Sequence, residues 1–226
     1  SLGRVNATLR RMGHPTVEAL PPAGEKAPKP SIAELFSPAL ARTTILLTIA
    51  YFAHIMTFYF ILKWIPKIVV DMGYAASSAG GVLVWANVGG AIGSLVISLL
   101  TTKVGVRALT MGAMVCGAAA IAAFGQNITD LKTLSLVAAI ASFFTNGAIA
   151  GLYAVIAQSY PARLRAGATG LVIGVGRAGA ATGPVAAGLL FAAGWGLSPV
   201  AITLAGGTLL AAVALAFVRY RENSLA

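Results

Sequence analysis

The chain has 226 residues, 58% of them hydrophobic and 10% charged, with a formal net charge of +10 and a mean hydropathy of +0.86. Such a composition excludes an ordinary soluble domain and reads as a membrane protein. The basic excess is spread over separate segments with neither zinc-ligand spacing nor an aromatic platform, so it does not mark a nucleic-acid binder.

In chain order, the first predicted element is a short amphipathic helix in SLGRVNATLRRMGH. There Leu2, Val5, Leu9 and Met12 recur at intervals of three and four, with arginines elsewhere around the wheel. The pattern suits a helix on the membrane surface or a solvated helix in a cytoplasmic loop. PPAGEKAPKP follows as a proline-rich spacer. In SIAELF, Ser31 lies three residues before Glu34 as a capping box, and Ile32, Leu35 and Phe36 are expected to rest on the bilayer. Residues 1–42 are therefore expected to form a cytoplasmic segment before a bundle, and 219–226 a cytoplasmic tail.

Six stretches reach the roughly 20 residues that cross about 30 Å of hydrocarbon: 43–66, 79–101, 108–125, 133–157, 167–193 and 199–218. None alternates with period two, so the expected fold is all-α, a polytopic bundle of six transmembrane helices. Arg4, Arg10, Arg11, Lys26, Lys29, Arg42, Lys103, Arg107, Arg163, Arg165, Arg219 and Arg221 fall on the side of both termini, and only Lys67 and Lys132 on the other. That asymmetry places both ends in the cytoplasm. The single cysteine, Cys116, lies within the third span and reads as a small buried residue. Pairs of glycines four apart, Gly89/Gly93, Gly147/Gly151, Gly170/Gly174 and Gly179/Gly183, suit close helix crossings. The chain begins at Ser1 with no leader-type apolar segment and reads as a piece of a longer protein.

Polar groups inside the spans carry the functional signal. All six acidic residues fall outside these stretches. Arg177 sits eleven residues beyond Ala166, about 16 Å in at 1.5 Å per residue, and His54 is equally deep in the first span. A cation at that depth costs several kcal/mol unless water, carbonyls or an anion receive it. Arg177 is thus either a substrate or gating residue or a cap on carbonyls freed near Pro184. His54 is either ligand-facing or a packing residue donating to a carbonyl. Two polar side chains at one depth suggest one cavity. Lys63 lies about 180° round the helix from His54, close to Pro66, and suits either snorkelling or an outer vestibule for anions. Asn87 and Asn146 could bond a ligand or join helices, and Trp85, Tyr59 and Tyr153 could stack on a planar ligand or simply pack. No paired carboxylates, metal-ligand cluster or nucleophile–base spacing appears, so no enzyme, metal or cofactor is expected.

GGAIGSLVISLLTTKVGVR resembles the loop signature of the major facilitator superfamily, with Gly89, Lys103, Gly105 and Arg107 matching, Ser98 in place of a glycine and Thr102 in place of the acid. QSYPARLRAGATG is similar to the loop between helices ten and eleven, through Pro161 and Arg165, and GAATGP, through Gly183 and Pro184, resembles the antiporter glycine–proline motif. With FYFILKWIPKIVVDMGY and GVGRAGAATGP the pattern looks most like the aromatic acid:proton symporter family. The resemblance implies the end of the central loop and helices seven to twelve, as two inverted three-helix repeats, 43–125 and 133–218, with a midplane site facing an amino-terminal half. It implies proton-coupled symport of an organic, aromatic carboxylate across a bacterial inner membrane by alternating access. Arg177 would orient the carboxylate, with His54, Asn87, Asn146, Tyr59, Trp85 and Lys63 around it. The alternatives are a proton-driven exporter of the same fold, or a half-size scaffold that pairs with a second copy.

Overall fold

The computed structural model describes residues 2–19, 31–126 and 128–218. The proline-rich spacer and the expected cytoplasmic tail lie outside the described residues. Among those described, the elements are α1 (Leu2–Arg11), a 3-10 helix (Ile32–Phe36), α2 (Ala41–Asp71), α3 (Ser78–Leu100), α4 (Val106–Phe124), α5 (Leu131–Gln158), α6 (Ala162–Gly176), α7 (Gly179–Ala192) and α8 (Leu197–Ala216).

The described residues 2–19 belong to a unit by themselves. The chain after α1 turns back, and the Asn6 side chain both donates to the Val17 carbonyl and accepts from its N–H, at 2.9 Å each. Arg10 and Arg11 occupy the last turn of α1, where cations complement the helix dipole. The arginines are exposed, and so are Val5 and Met12 of the apolar stripe.

The second unit, from Ile32 onward, is a helical bundle. Five of its helices, α2, α3, α4, α5 and α8, are long and apolar enough to cross a membrane. The stretch 167–193 differs from the continuous span expected. It divides at Arg177 and Ala178, where Ala178, Ala180 and Ala181 donate to carbonyls only three residues back. Glycines at 174, 176 and 179 weaken the helix there, and two of them are held against α2. In the other direction, α2 continues through Pro66 to Asp71, five residues past the expected end, because its packing face runs on through Ile65, Ile68 and Val69.

Short connections join successive helices. α2 and α7 both end in a left-handed glycine, Gly73 (φ +86°) and Gly194 (φ +84°). In each case the next residue's N–H reaches the carbonyl five residues back, Tyr74 to Val69 and Trp195 to Leu190. α5 opens on Asp130, whose carboxylate accepts from the Thr133 N–H and hydroxyl at 2.8 Å each. Those bonds hold this exposed carboxyl below its ordinary range.

Two apolar clusters divide the core. One gathers Leu47, Tyr51, Met114, Leu152, Val155, Ile156 and Leu215; the other gathers Phe60, Ile65, Ile121, Phe124, Leu134, Val200 and Leu204. Between them lies a layer of buried polar side chains, His54, Thr57, Ser142, Thr145 and Thr208. Glycines admit the closest crossings. A Cβ on Gly89 or Gly93 would overlap the α5 backbone at Ala139 or Phe143, and one on Gly179 or Gly183 would overlap α2 at Phe52 or Met56. Gly170 and Gly174, by contrast, face open space. Cys116 is exposed on α4 rather than buried.

The loop motif serves as a fastening between helix ends. The Arg107 guanidinium donates to the carbonyl of Ala216, the last residue of α8, and Gly105 precedes the first turn of α4. Thr102, standing where the motif has an acid, donates its hydroxyl to the Leu99 carbonyl at the end of α3, while Lys103 is exposed. On the 3-10 helix, Leu35 is buried rather than resting on the bilayer, and its carbonyl accepts from the Thr44 hydroxyl at 2.9 Å. Tyr160 donates to Thr44 at 3.1 Å, and burial pushes its phenol above the ordinary value. Glu34 pairs with Arg163 at 2.7 Å, which ties this helix to the turn opening α6 behind Pro161. Arg165 is exposed on α6.

Candidate functional site

Arg177 stands at the junction of α6 and α7 with its side chain exposed. Among the described residues no hydrogen bond joins its guanidinium to a main-chain carbonyl. The Tyr59 phenol lies beside it, with the phenols of Tyr51 and Tyr153 also within electrostatic range. Tyr51 and Tyr59 come from α2 and Tyr153 from α5. Tyr51 is fully buried and shares a 3.1 Å hydrogen bond with the hydroxyl of Tyr153, which is 40% exposed; their rings lie 5.9 Å apart. The site is therefore one fixed cation edged by three phenols, without a carboxylate among them.

Donor counting shows what this arrangement suits. A guanidinium only donates, so a phenol beside it can accept from it and still offer its own O–H to a ligand. The site presents donors, and its natural guest is an acceptor-only, negatively charged group such as a carboxylate.

The structure sorts the residues expected here. His54 is at 0% exposure, with Nδ1 2.5 Å from the Thr208 hydroxyl and Nε2 2.9 Å from the Thr145 carbonyl. Nε2–H donates to that carbonyl, which leaves Nδ1 to accept from Thr208. His54 thus joins α2 to α5 and α8 and takes the packing alternative, so equal depth does not bring it into one cavity with Arg177. Lys63 is exposed one turn beyond Tyr59 along α2. Asn87 is exposed on α3 and donates to the Leu83 carbonyl at 2.7 Å; Asn146 is half-buried beside Gly90 and donates to the Ser142 carbonyl at 3.0 Å. Trp85 lies two residues from Asn87, about 200° round the helix, in a surface cleft of about 330 Å³ with Lys132, Ser135, Leu136 and Ala139. The structure does not bring Trp85 to Arg177. Gly183 and Pro184 lie on α7 against α2, where Pro184's carbonyl accepts from the Trp64 indole at 3.2 Å. Trp64 is thereby a helix-joining residue, its ring tilted 40° against that of Phe191 with centroids 4.6 Å apart.

Sequence reasoning missed Tyr51. Its signal was the eight-residue spacing to Tyr59, which places both phenols along one side of α2.

Residues 17–226 match the profile of the Major Facilitator Superfamily. The chain belongs to that superfamily. It is accordingly an integral membrane helical bundle of a transporter family and not an enzyme. Among its relatives in the superfamily, it is 32% identical over 205 residues to the 3-(3-hydroxy-phenyl)propionate transporter of Escherichia coli K12, covering 90% of this chain and 50% of that protein. It is 30% identical over 156 residues to the benzoate transport protein of Acinetobacter baylyi, covering 69% of this chain and 33% of the relative. It is 30% identical over 194 residues to the 4-hydroxybenzoate transporter of Pseudomonas putida, covering 80% and 40%. The chain thus spans half the length, or less, of these relatives.

Proposed function

We propose that this chain is the carboxy-terminal half of a proton-coupled symporter for aromatic carboxylates, and that Arg177 receives the substrate carboxylate. The observation that carries the reading is the exposed Arg177 guanidinium set among the phenols of Tyr51, Tyr59 and Tyr153. A cation near the middle of a membrane does not face acyl chains without a cost of several kcal/mol, so the face that presents it is turned to water and to the opposite half. Relatives that carry benzoate, 4-hydroxybenzoate and 3-(3-hydroxy-phenyl)propionate in their names supply the substrate class.

In this reading α6 and α7 together make the sixth crossing, hinged where Arg177 stands. Both termini lie in the cytoplasm, the membrane is the bacterial inner one, and Lys63 draws anions toward Tyr59 from the outer side. His54 holds three helices together and does not touch substrate. Alternating access then moves this bundle as a body against the amino-terminal half, which holds the proton-coupling groups. Uptake of labelled benzoate by the intact transporter in proteoliposomes tests the proposal. Arg177→Gln is expected to raise KM at least tenfold for every aromatic acid; unchanged KM and rate would remove the arginine from the site.

A further inference from the structure

α3 and the start of α7 with the junction before it carry one pattern: Asn87-x-Gly89-Gly90-Ala91-x-Gly93 and Arg177-x-Gly179-Ala180-Ala181-x-Gly183. The two stretches are seated alike. A Cβ on Gly93 would strike the carbonyl O, C and Cα of Phe143 on α5, and one on Gly183 would strike the same three atoms of Met56 on α2. One turn earlier, Gly89 meets Ala139 and Gly179 meets Phe52, and both pairs of partners are four residues apart. The third helices keep the register. Gly117 of α4 lies against Phe144 and Thr145 of α5, and Gly207 of α8 lies against Thr57 of α2. Adding 90 to a number in α3 or α4 gives its counterpart in α6–α7 or α8, and adding 87 to one in α2 gives its counterpart in α5.

With α6 and α7 taken as one crossing, α2–α4 and α5–α8 each make three crossings, an odd number, so the two groups run in opposite senses and are related by a two-fold lying across the helices. Under that register Arg177 corresponds to Asn87, and Tyr59 corresponds to Asn146. The counterpart of the Arg177–Tyr59 pair is then Asn87 with Asn146, and Asn146 lies against Gly90, one turn along α3 from Asn87. Arg177 lies fifteen residues from Ala162, near the middle of the 31 residues of α6 and α7 taken together, so the two-fold leaves Asn87 near mid-depth as well.

We infer that Asn87 and Asn146 form a second, neutral subsite, the two-fold counterpart of Arg177 and Tyr59, and that it binds the ring hydroxyl of hydroxylated aromatic acids. Each amide gives one N–H to its own helix, at Leu83 and Ser142, and keeps a second N–H and the Oδ1 acceptor. A group that both donates and accepts without a net charge is what a phenolic hydroxyl suits, whereas the Arg177–Tyr59 end carries a fixed positive charge that a carboxylate matches better. The chemistry therefore fixes the orientation, with carboxylate to Arg177 and hydroxyl to the asparagines. The inference rests on Arg177 receiving the carboxylate.

The test is uptake by the intact transporter of benzoate against its 3- and 4-hydroxy derivatives. Wild type is expected to favour at least one hydroxylated acid. Asn87→Ala, at an exposed position that leaves packing intact, is expected to raise KM for that acid about three- to tenfold and leave benzoate unchanged. Asn146→Ala is expected to do the same, and Arg177→Gln to weaken both substrates. Equal effects of Asn87→Ala on benzoate and the hydroxy acid, no effect on either, or no wild-type preference for any hydroxy acid would overturn the subsite. If Arg177→Gln changes neither substrate, it is the proposed function that falls. If Arg177→Gln weakens both and the asparagine variants spare the hydroxy acid, the second subsite alone is lost.

Discussion

Arg177 and His54 occupy similar depths and meet opposite environments, and the difference lies in what surrounds each side chain. His54 has a carbonyl and a hydroxyl within 2.9 Å and no exposure, so both ring nitrogens are engaged inside the bundle. Arg177 has phenols beside it and an open face. Substitution separates the two roles. His54→Leu keeps the volume and removes two hydrogen bonds that join three helices, each contributing about 1 kcal/mol. The expected outcome is a lower melting temperature in detergent with KM for aromatic acids unchanged. A shifted KM at unchanged Tm would return His54 to the substrate path. Depth was legible from sequence because it needs only a residue count. Azimuth was not, since the partners of His54 sit 91 and 154 residues away.

At the scale of elements, glycine has two uses that composition alone does not distinguish. Gly93 lies where a Cβ would overlap the Phe143 backbone, while Gly170 of α6 has nothing within 4 Å. Gly93→Ala must push α3 off α5, at about 1–3 kcal/mol. Gly170→Ala is expected to be neutral or to stabilise by up to about 1 kcal/mol, because alanine loses less backbone freedom in a helix. Thermal unfolding of the two variants checks the contrast, and equal effects would mean that the α3–α5 crossing is not glycine-set. The start of α5 responds to pH. The Thr133 N–H and hydroxyl lower the Asp130 carboxyl, so its contribution is whole above the ordinary carboxylate value and is lost as pH falls through the lowered one. The protection of the Thr133 amide, its exchange rate relative to the intrinsic rate at the same pH, is expected to fall only in that acidic window and to be low at all pH in Asp130→Ala. Five of the spans were readable because unbroken apolar runs of span length have few alternatives. The division at Arg177 was not, since a glycine-rich stretch reads equally as a helix packing tightly and as one interrupted.

For the whole molecule, the question is which faces meet lipid. Large apolar side chains are exposed widely, among them Leu95, Leu99, Val185, Leu189, Ile202 and Phe217, as a bundle surrounded by hydrocarbon requires. Arg177 is exposed too, so exposure has two meanings on one surface, and a thiol probe tells them apart. A charged methanethiosulfonate reacts with a thiolate, which forms in water and not among acyl chains. The single native cysteine, Cys116, is exposed on α4, which packs chiefly between α5 and α8, away from the helices that hold Arg177. Wild type is therefore expected to resist the reagent. Arg177→Cys is expected to react, to be protected by benzoate if any residual binding survives, and, under the proposed alternating access, to react from one side at a time. An Arg177→Cys thiol as inert as Cys116 would mean that the open face is a lipid face, and the carboxylate site, the inner position of this surface and the second subsite would fall with it. Reaction at Cys116 with equal speed would mean instead that water reaches α4, and the outer surface of the bundle would lie elsewhere.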